Sequence, residues 1–271
     1  VGSRIGTLDG AAQPPYARIR RDAWVFAGIA VGLWAVLRFF LGAMPQWASY
    51  HDFADTRSYW GIPRAGDVLT NLAILAAGLW GASIGKRAHL DADERPAYRL
   101  LVAGAILTAI GSAYYHLAPS NPTLVWDRLP MTLVMAALLT LVLADRVDGR
   151  HARAALVPLA TLGVAGVLWW AVTERLGHGD LLLYGVVRIG TMVMLAVLLV
   201  VRPGRTFGDR WLWASVTIAV AMMAAERFDR EIYEATGQAV SGHNLKHVLA
   251  GGVIACMFGW LLRRRPRSGR S

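Results

Sequence analysis

Charge is scarce in this chain. Of its 271 residues, 17% are charged and 55% are hydrophobic, where a water-soluble domain carries about 25% charged residues. The few charges are clustered, which leaves apolar stretches close to twenty residues long. A stretch of about 18 or more is long enough for a transmembrane helix. Cysteine is nearly absent. The lone Cys256 lies in an apolar run and excludes both an intramolecular disulfide and a cysteine-based metal site. Also missing are the alternating segments of about ten residues that mark a transmembrane barrel, and any linker, low-complexity stretch or convincing internal repeat. Lysine is limited to Lys86 and Lys246 against a large excess of arginine, the bias of a GC-rich bacterial genome. Together these features predict an all-α integral membrane protein.

Eight apolar segments stand out, at about 24–43, 67–85, 99–117, 129–144, 153–173, 181–201, 210–226 and 243–262. They form a single helical membrane domain, 24–262, between a basic segment at 1–23 and a basic tail at 263–271. The first segment is too long for the apolar core of a cleavable signal peptide and reads as a retained helix. Orientation follows from the cations in the connections. Arg4, Arg18, Arg20 and Arg21, then Lys86, Arg87 and Arg95, Arg146 and Arg150, Arg202, Arg205 and Arg210, and Arg263 to Arg270 all fall on one side. The alternate connections balance their few arginines with acids. Both ends of the chain are therefore expected in the cytoplasm, in a bacterial inner membrane. The net charge of +10 is accounted for by these basic loops, and nucleic-acid binding is not expected.

This orientation gathers polar residues at the outer face. His51, His116, His178, His243 and His247 lie there, whereas His89 and His151 lie inside. In "SGHNLKHVLAGG", His243 and His247 are four apart at the start of the last segment. Such residues share one helix face and can hold one metal ion, although the glutamate of the zinc-peptidase motif is missing. In "SAYYHLAP", Ser112 and His116 have the same spacing. His116 would complete a set of three imidazoles, the ligand number of catalytic zinc, which keeps a fourth place for water. Each piece also has an ordinary explanation. The histidines can be hydrogen-bonded residues at polar helix ends. Asp127, in "VWDRLPM", can be an acid at a helix start with Pro130 in the first turn, or a base beside a metal-bound water.

Taken together, Ser112, His116, Asp127 eleven residues later, Pro130, Met131, and the late pair His243 and His247 resemble the alkaline ceramidase family, within the superfamily of seven-helix membrane hydrolases that includes the adiponectin receptors. The resemblance covers about 50–262. It implies a seven-transmembrane-helix bundle, with 24–43 as one additional N-terminal transmembrane helix. It implies zinc held by His116, His243 and His247, Asp127 handling the proton of the zinc water, and Ser112 positioning or stabilising the oxyanion. The implied reaction is hydrolysis of ceramide or a similar N-acyl lipid to a fatty acid and an amine. No obligate protein partner is implied. The rival reading is a receptor or sensor of the adiponectin-receptor kind with a structural zinc.

The family also carries a calcium site ahead of the first core helix. Here Asp52 and Asp55 remain as candidate ligands, but Arg57 and Arg64 stand where further ligands would be, and a guanidinium repels a dication. An ion pair between Asp52 and Arg57 is expected in place of calcium. Arg128 also departs from the acid expected after Asp127. Arg188, about eight residues into its segment, is a costly intramembrane charge. It either meets a polar or anionic part of the substrate or pairs with Glu226 or Asp229. Those two acids, one turn apart at the end of the seventh segment, are candidates to orient a ligand histidine. Tyr115, next to His116, is a further candidate at the site.

Overall fold

The computed structural model describes residues 15–266, so Arg4, Arg267 and Arg270 lie outside the described residues. The described chain is almost entirely helical. In order it forms α1 (Tyr16–Leu41), a short turn at Ala48–His51, α2 (Ala65–Thr70), α3 (Leu72–Ile84), α4 (Arg95–Leu117), α5 (Asn121–Arg146), α6 (Gly149–Arg175), α7 (Leu182–Val201), α8 (Asp209–Arg227), α9 (Asp229–Ala235) and α10 (Gly242–Arg263). A pair of two-residue strands, Thr206–Phe207 and Arg265–Pro266, ties the chain together after α7 and α10. Among the described residues seven spans are long and apolar enough to cross a membrane, α1, α2 with α3 interrupted at Asn71, α4, α5, α6, α7 and α10, and α8 is not among them. The protein is a multi-pass helical membrane bundle.

Local chemistry sets the helix ends. At α5, Ser120 and Thr123 cap each other reciprocally and Pro122 sits in the first turn, where its missing N–H costs nothing. At α10, Ser241 and Asn244 form the same reciprocal cap. At α6, the Asp148 carboxylate accepts from the His151 backbone N–H at 2.8 Å. Because α5 starts at Asn121 rather than just before Asp127, one expectation is corrected. Asp127 is not a helix-start acid but lies inside the helix, where the end of the dipole no longer explains it. Pro130 is likewise internal. Having no N–H, it leaves the Trp126 carbonyl without its helical donor. Gly111 of α4 packs directly against that carbonyl, and any side chain at 111 would overlap it. This close approach sets Ser112 of α4 beside α5.

The deep core lies in the half of the bundle towards the basic connections. Leu101, Leu141, Phe258, Trp260 and Leu261 are fully buried there, with α10 packed against α3 and α8. A smaller cluster of Phe53, Tyr115, Leu124 and Trp170 closes the opposite end. The first helix, α1, lies at the periphery against α6 and α7 and exposes Phe26, Phe39 and Phe40, a face suited to lipid. It is fastened by Arg38 to Asp180 at 3.0 Å and by Trp34 packed edge-on against Trp169.

Candidate metal centre

The helices alternate in direction. The end of α4, the starts of α2, α5 and α10, and the end of α8 therefore meet at one end of the bundle, opposite the arginine-rich connections. His116 comes from the last turn of α4, and His243 and His247 from the first turns of α10. Their exposures are 1%, 4% and 3%. One ligand atom from each lies within 4.8 Å of the others. Among the described residues this is the one group of three or more His, Cys, Asp or Glu side chains placed to share an ion.

The surroundings orient the rings. The Thr70 hydroxyl donates to the Gly66 carbonyl at 2.7 Å. Its oxygen is therefore free to accept from Nδ1–H of His247, 3.0 Å away, which leaves the Nε2 lone pair of His247 for the centre. His116 presents Nδ1 to Asp67 Oδ2 at 3.8 Å, just beyond hydrogen-bonding distance. Neither atom has another partner. Asp67 is fully buried and is held by Asn244, whose Nδ2 donates to Asp67 Oδ1 at 2.6 Å. On the far side of its ring, His116 Nε2 lies 3.2 Å from His243 Nε2. Two nitrogen lone pairs facing each other in an apolar interior repel unless a proton or a cation lies between them. With Asp67 favouring the proton on Nδ1 of His116, a cation coordinated by the Nε2 atoms fits this set. The unsatisfied Asp67–His116 pair is the carboxylate–histidine support common behind metal ligands. The residues present fit a metal; they do not specify which.

Ser112 stands one turn before His116 on α4, next to Gly111, whose packing on the Trp126–Asp127 peptide brings the two helices together at this point. Asp127 is itself 9% exposed, and it is not among the side chains whose ligand atoms gather within 4.8 Å of one another. No protein-family profile, curated protein or solved structure matches this chain.

The loop 42–64 lies over the centre. The Phe53 ring packs on His116 and His243, with centroids 4.8 and 4.2 Å away. His51 is held by the Tyr115 hydroxyl at 2.7 Å and by Asn121 at 2.9 Å. Tyr115 thus anchors the loop through its hydroxyl. Arg57 does not pair with Asp52, as expected from sequence, but with Asp55, at 2.8 Å to each carboxylate oxygen. Asp52 is exposed, whereas Asp55 is fully buried. The aspartate two residues before Arg57 lies inside the fold and needs the charge. Burial pushes the Asp55 carboxyl up, but hydrogen bonds from Arg57 outweigh it and hold the group below its ordinary value. Both oxygens of Asp55 are thus taken by a guanidinium.

Glu226 and Asp229 are also placed differently from expectation. Phe228 breaks the chain between α8 and α9, so the two acids do not share a helix. Asp229 accepts from the backbone N–H of His243 at 2.7 Å and of Ala54 at 2.9 Å. It thereby joins the ligand helix to the loop, acting on the backbone of His243 rather than its ring. Glu226 pairs with Lys246 at 2.6 Å, so the expected pairing with Arg188 is not made. Sequence reasoning overlooked Asp67, Thr70, Asn244 and Phe53. A signal was present for two of them. Asp67 and Thr70 are one turn apart at the start of an otherwise apolar segment, where only an inward-facing role explains polar residues.

Proposed function

We propose that this chain is a zinc-dependent intramembrane amidase that hydrolyses ceramide or a similar N-acyl lipid to a fatty acid and an amine. The observation that carries the reading is the convergence of three buried imidazoles, with Asp127 on the helix that packs closely against Gly111 of the His116 helix. It adds to the family resemblance of the motifs. His116, His243 and His247 would hold the zinc, which supplies Lewis acidity toward a carbonyl and toward water. Asp127 accepts a proton from water at a carboxylate oxygen and returns it to the leaving nitrogen. Ser112 orients that carboxylate with its hydroxyl. Phe53 and the loop above it exclude bulk water, and the apolar helix faces accommodate the acyl chain. Water adds to the carbonyl carbon, the C–N bond breaks, and the products are a carboxylic acid and an amine.

In this reading α1 is an additional helix outside a seven-helix core made of α2 with α3, α4 to α8, and α10. The basic connections face the cytoplasm, and the histidines lie towards the outer face of a bacterial inner membrane. One observation favours the receptor-like alternative. The three histidines are nearly inaccessible beneath Phe53, and a closed centre is the mark of structural zinc. Purified protein in neutral detergent separates the two. The amidase reading expects bound zinc and turnover of a fluorescent N-acyl lipid, both lost in His243→Ala. Zinc without cleavage of any N-acyl lipid, including in a Phe53→Ala variant that opens the centre, supports the structural role.

A further inference from the structure

Beside the metal centre, on the side of α7, two guanidiniums lie in the bundle without a carboxylate. Arg128 follows Asp127 on α5 and is 5% exposed. Its planar group stacks on Trp170, Tyr50 and Tyr184, with its central carbon 4.5, 5.1 and 5.2 Å from the ring centroids. One nitrogen donates to the neutral Gln46 side chain at 2.7 Å. The other terminal nitrogen, Nη1, is buried with no partner. Arg188 sits one turn after Tyr184 on α7 and contacts that same tyrosine. Among the described residues no carboxylate lies within 4.0 Å of either guanidinium, and the nearby Glu226 is taken by Lys246. Thr132, one turn beyond Arg128, lines a small cavity together with Tyr184 and Arg188. Arg128 stacks on the Tyr184 ring and Arg188 lies one turn beyond Tyr184 on α7, so both guanidiniums flank the same tyrosine.

Two unpaired cations inside a membrane bundle are costly and mark a functional site. Arginine is the side chain suited to gripping a planar oxyanion. Arg128 is the residue after Asp127 on α5, and both guanidiniums lie roughly 10 Å along their helices from the histidine end at 1.5 Å per residue. We propose that Arg128 and Arg188 bind the carboxylate of an N-acyl amino acid, so that the substrate is an anionic amide lipid rather than a neutral one. An α-amino acid places its carboxylate two bonds from the amide nitrogen, which keeps both groups at the same depth. The inference rests on the amidase reading for the amide; the anion site itself is tested by binding alone.

The test is equilibrium binding of radiolabelled N-palmitoyl glycine to the purified full chain in neutral detergent at 4 °C, with unlabelled competitors. The expected result is that the free acid competes at least about tenfold better than its methyl ester, as loss of a charge-assisted contact implies. Arg188→Gln removes that preference and Arg188→Lys keeps part of it, with the bound metal unchanged in both. Equal competition by acid and ester in the unsubstituted protein overturns the proposal, whether or not the variants fold. Palmitate competing as strongly as N-palmitoyl glycine also overturns it, because the guanidiniums then hold the product acid and not the headgroup. If N-palmitoyl glycine binds with the expected preference but is never hydrolysed, the anion site stands and the amidase reading fails.

Discussion

The two ends of this bundle bury polar side chains in opposite ways. At the basic end, Arg264 grips the Glu94 carboxylate and the His89 carbonyl. Arg146 reaches Asp209 at 3.0 Å and Asp145 at 3.5 Å, and Asp145 accepts from the Thr206 hydroxyl at 2.7 Å. Each of these buried charges meets an opposite charge supplied by the chain. At the histidine end the chain stops short. Asp67 Oδ2 and His116 Nδ1 face each other unbonded, two imidazole nitrogens lie 3.2 Å apart, and Arg128 has a free nitrogen. A buried polar group without a partner costs free energy. A set of them in one place, under a fitted loop, points to something the chain does not itself provide. One end pairs charge with charge; the other gathers three imidazoles that a cation fits.

That comparison breaks first at the histidines. His243→Ala and His247→Ala are each expected to abolish stoichiometric metal binding, measured by elemental analysis of purified protein, while the helical circular dichroism stays unchanged. Retained metal in both would show that the histidine end is merely a hydrogen-bonded histidine cluster. Next comes Arg264→Met. Leaving the Glu94 charge buried and unpaired is expected to cost about 3–5 kcal/mol, read as a large fall in thermal midpoint in detergent with the metal content per folded chain unchanged. A loss of metal at equal folding would mean that the two ends are coupled.

Asp67→Asn sharpens the picture further. It keeps the shape of the side chain but removes the negative charge behind His116. Metal affinity is expected to fall by about tenfold to a hundredfold, measured by chelator competition, with little change in stability. The smallest effect concerns the loop. Because Asp55 is held below its ordinary carboxylate value, its pairing with Arg57 is present at every pH above that value and is lost only as acid titrates the group. Hydrogen exchange of the amides around 52–58 is therefore expected to be equally protected at mildly acidic and neutral pH, once corrected for intrinsic rates. Arg57→Ala removes that protection at both. Protection lost already in the mildly acidic range would contradict the assignment.

The apolar segments were legible because lipid demands long uninterrupted runs and helical backbone satisfaction. All eight reappear as helices or helix pairs, most within a few residues of their sequence limits. Two segments start well before their sequence limits, α1 at Tyr16 rather than 24 and α5, which is the instructive case. The segment read from 129 begins at Asn121, because polar capping residues start α5 and hydropathy does not register them. Asp127 consequently changed from a helix-start acid to an interior one. The histidines were legible through their four-residue spacings, which a helix converts into a shared face. Asp67 and Thr70 carried a signal as polar residues opening an apolar segment, but their role did not, since Asn244 stands 177 positions from Asp67 and His116 lies on another helix. The pairing of Arg57 with Asp55 rather than Asp52 was equally out of reach, because it depends on which of two neighbouring acids the loop buries.

Composition and spacing by themselves determined that this is a helical membrane protein with three imidazoles near one face, because hydrophobic length and helical period are local properties of the chain. Only the tertiary structure decided that His116 meets His243 and His247, that Asp67 stands behind them, and that Arg128 stacks on Tyr184 one turn from Arg188. Those contacts depend on how α4, α5, α7 and α10 cross. Close approaches such as that of Gly111 to the Trp126 carbonyl set those crossings, and they cost or stabilise only once distant segments are packed together.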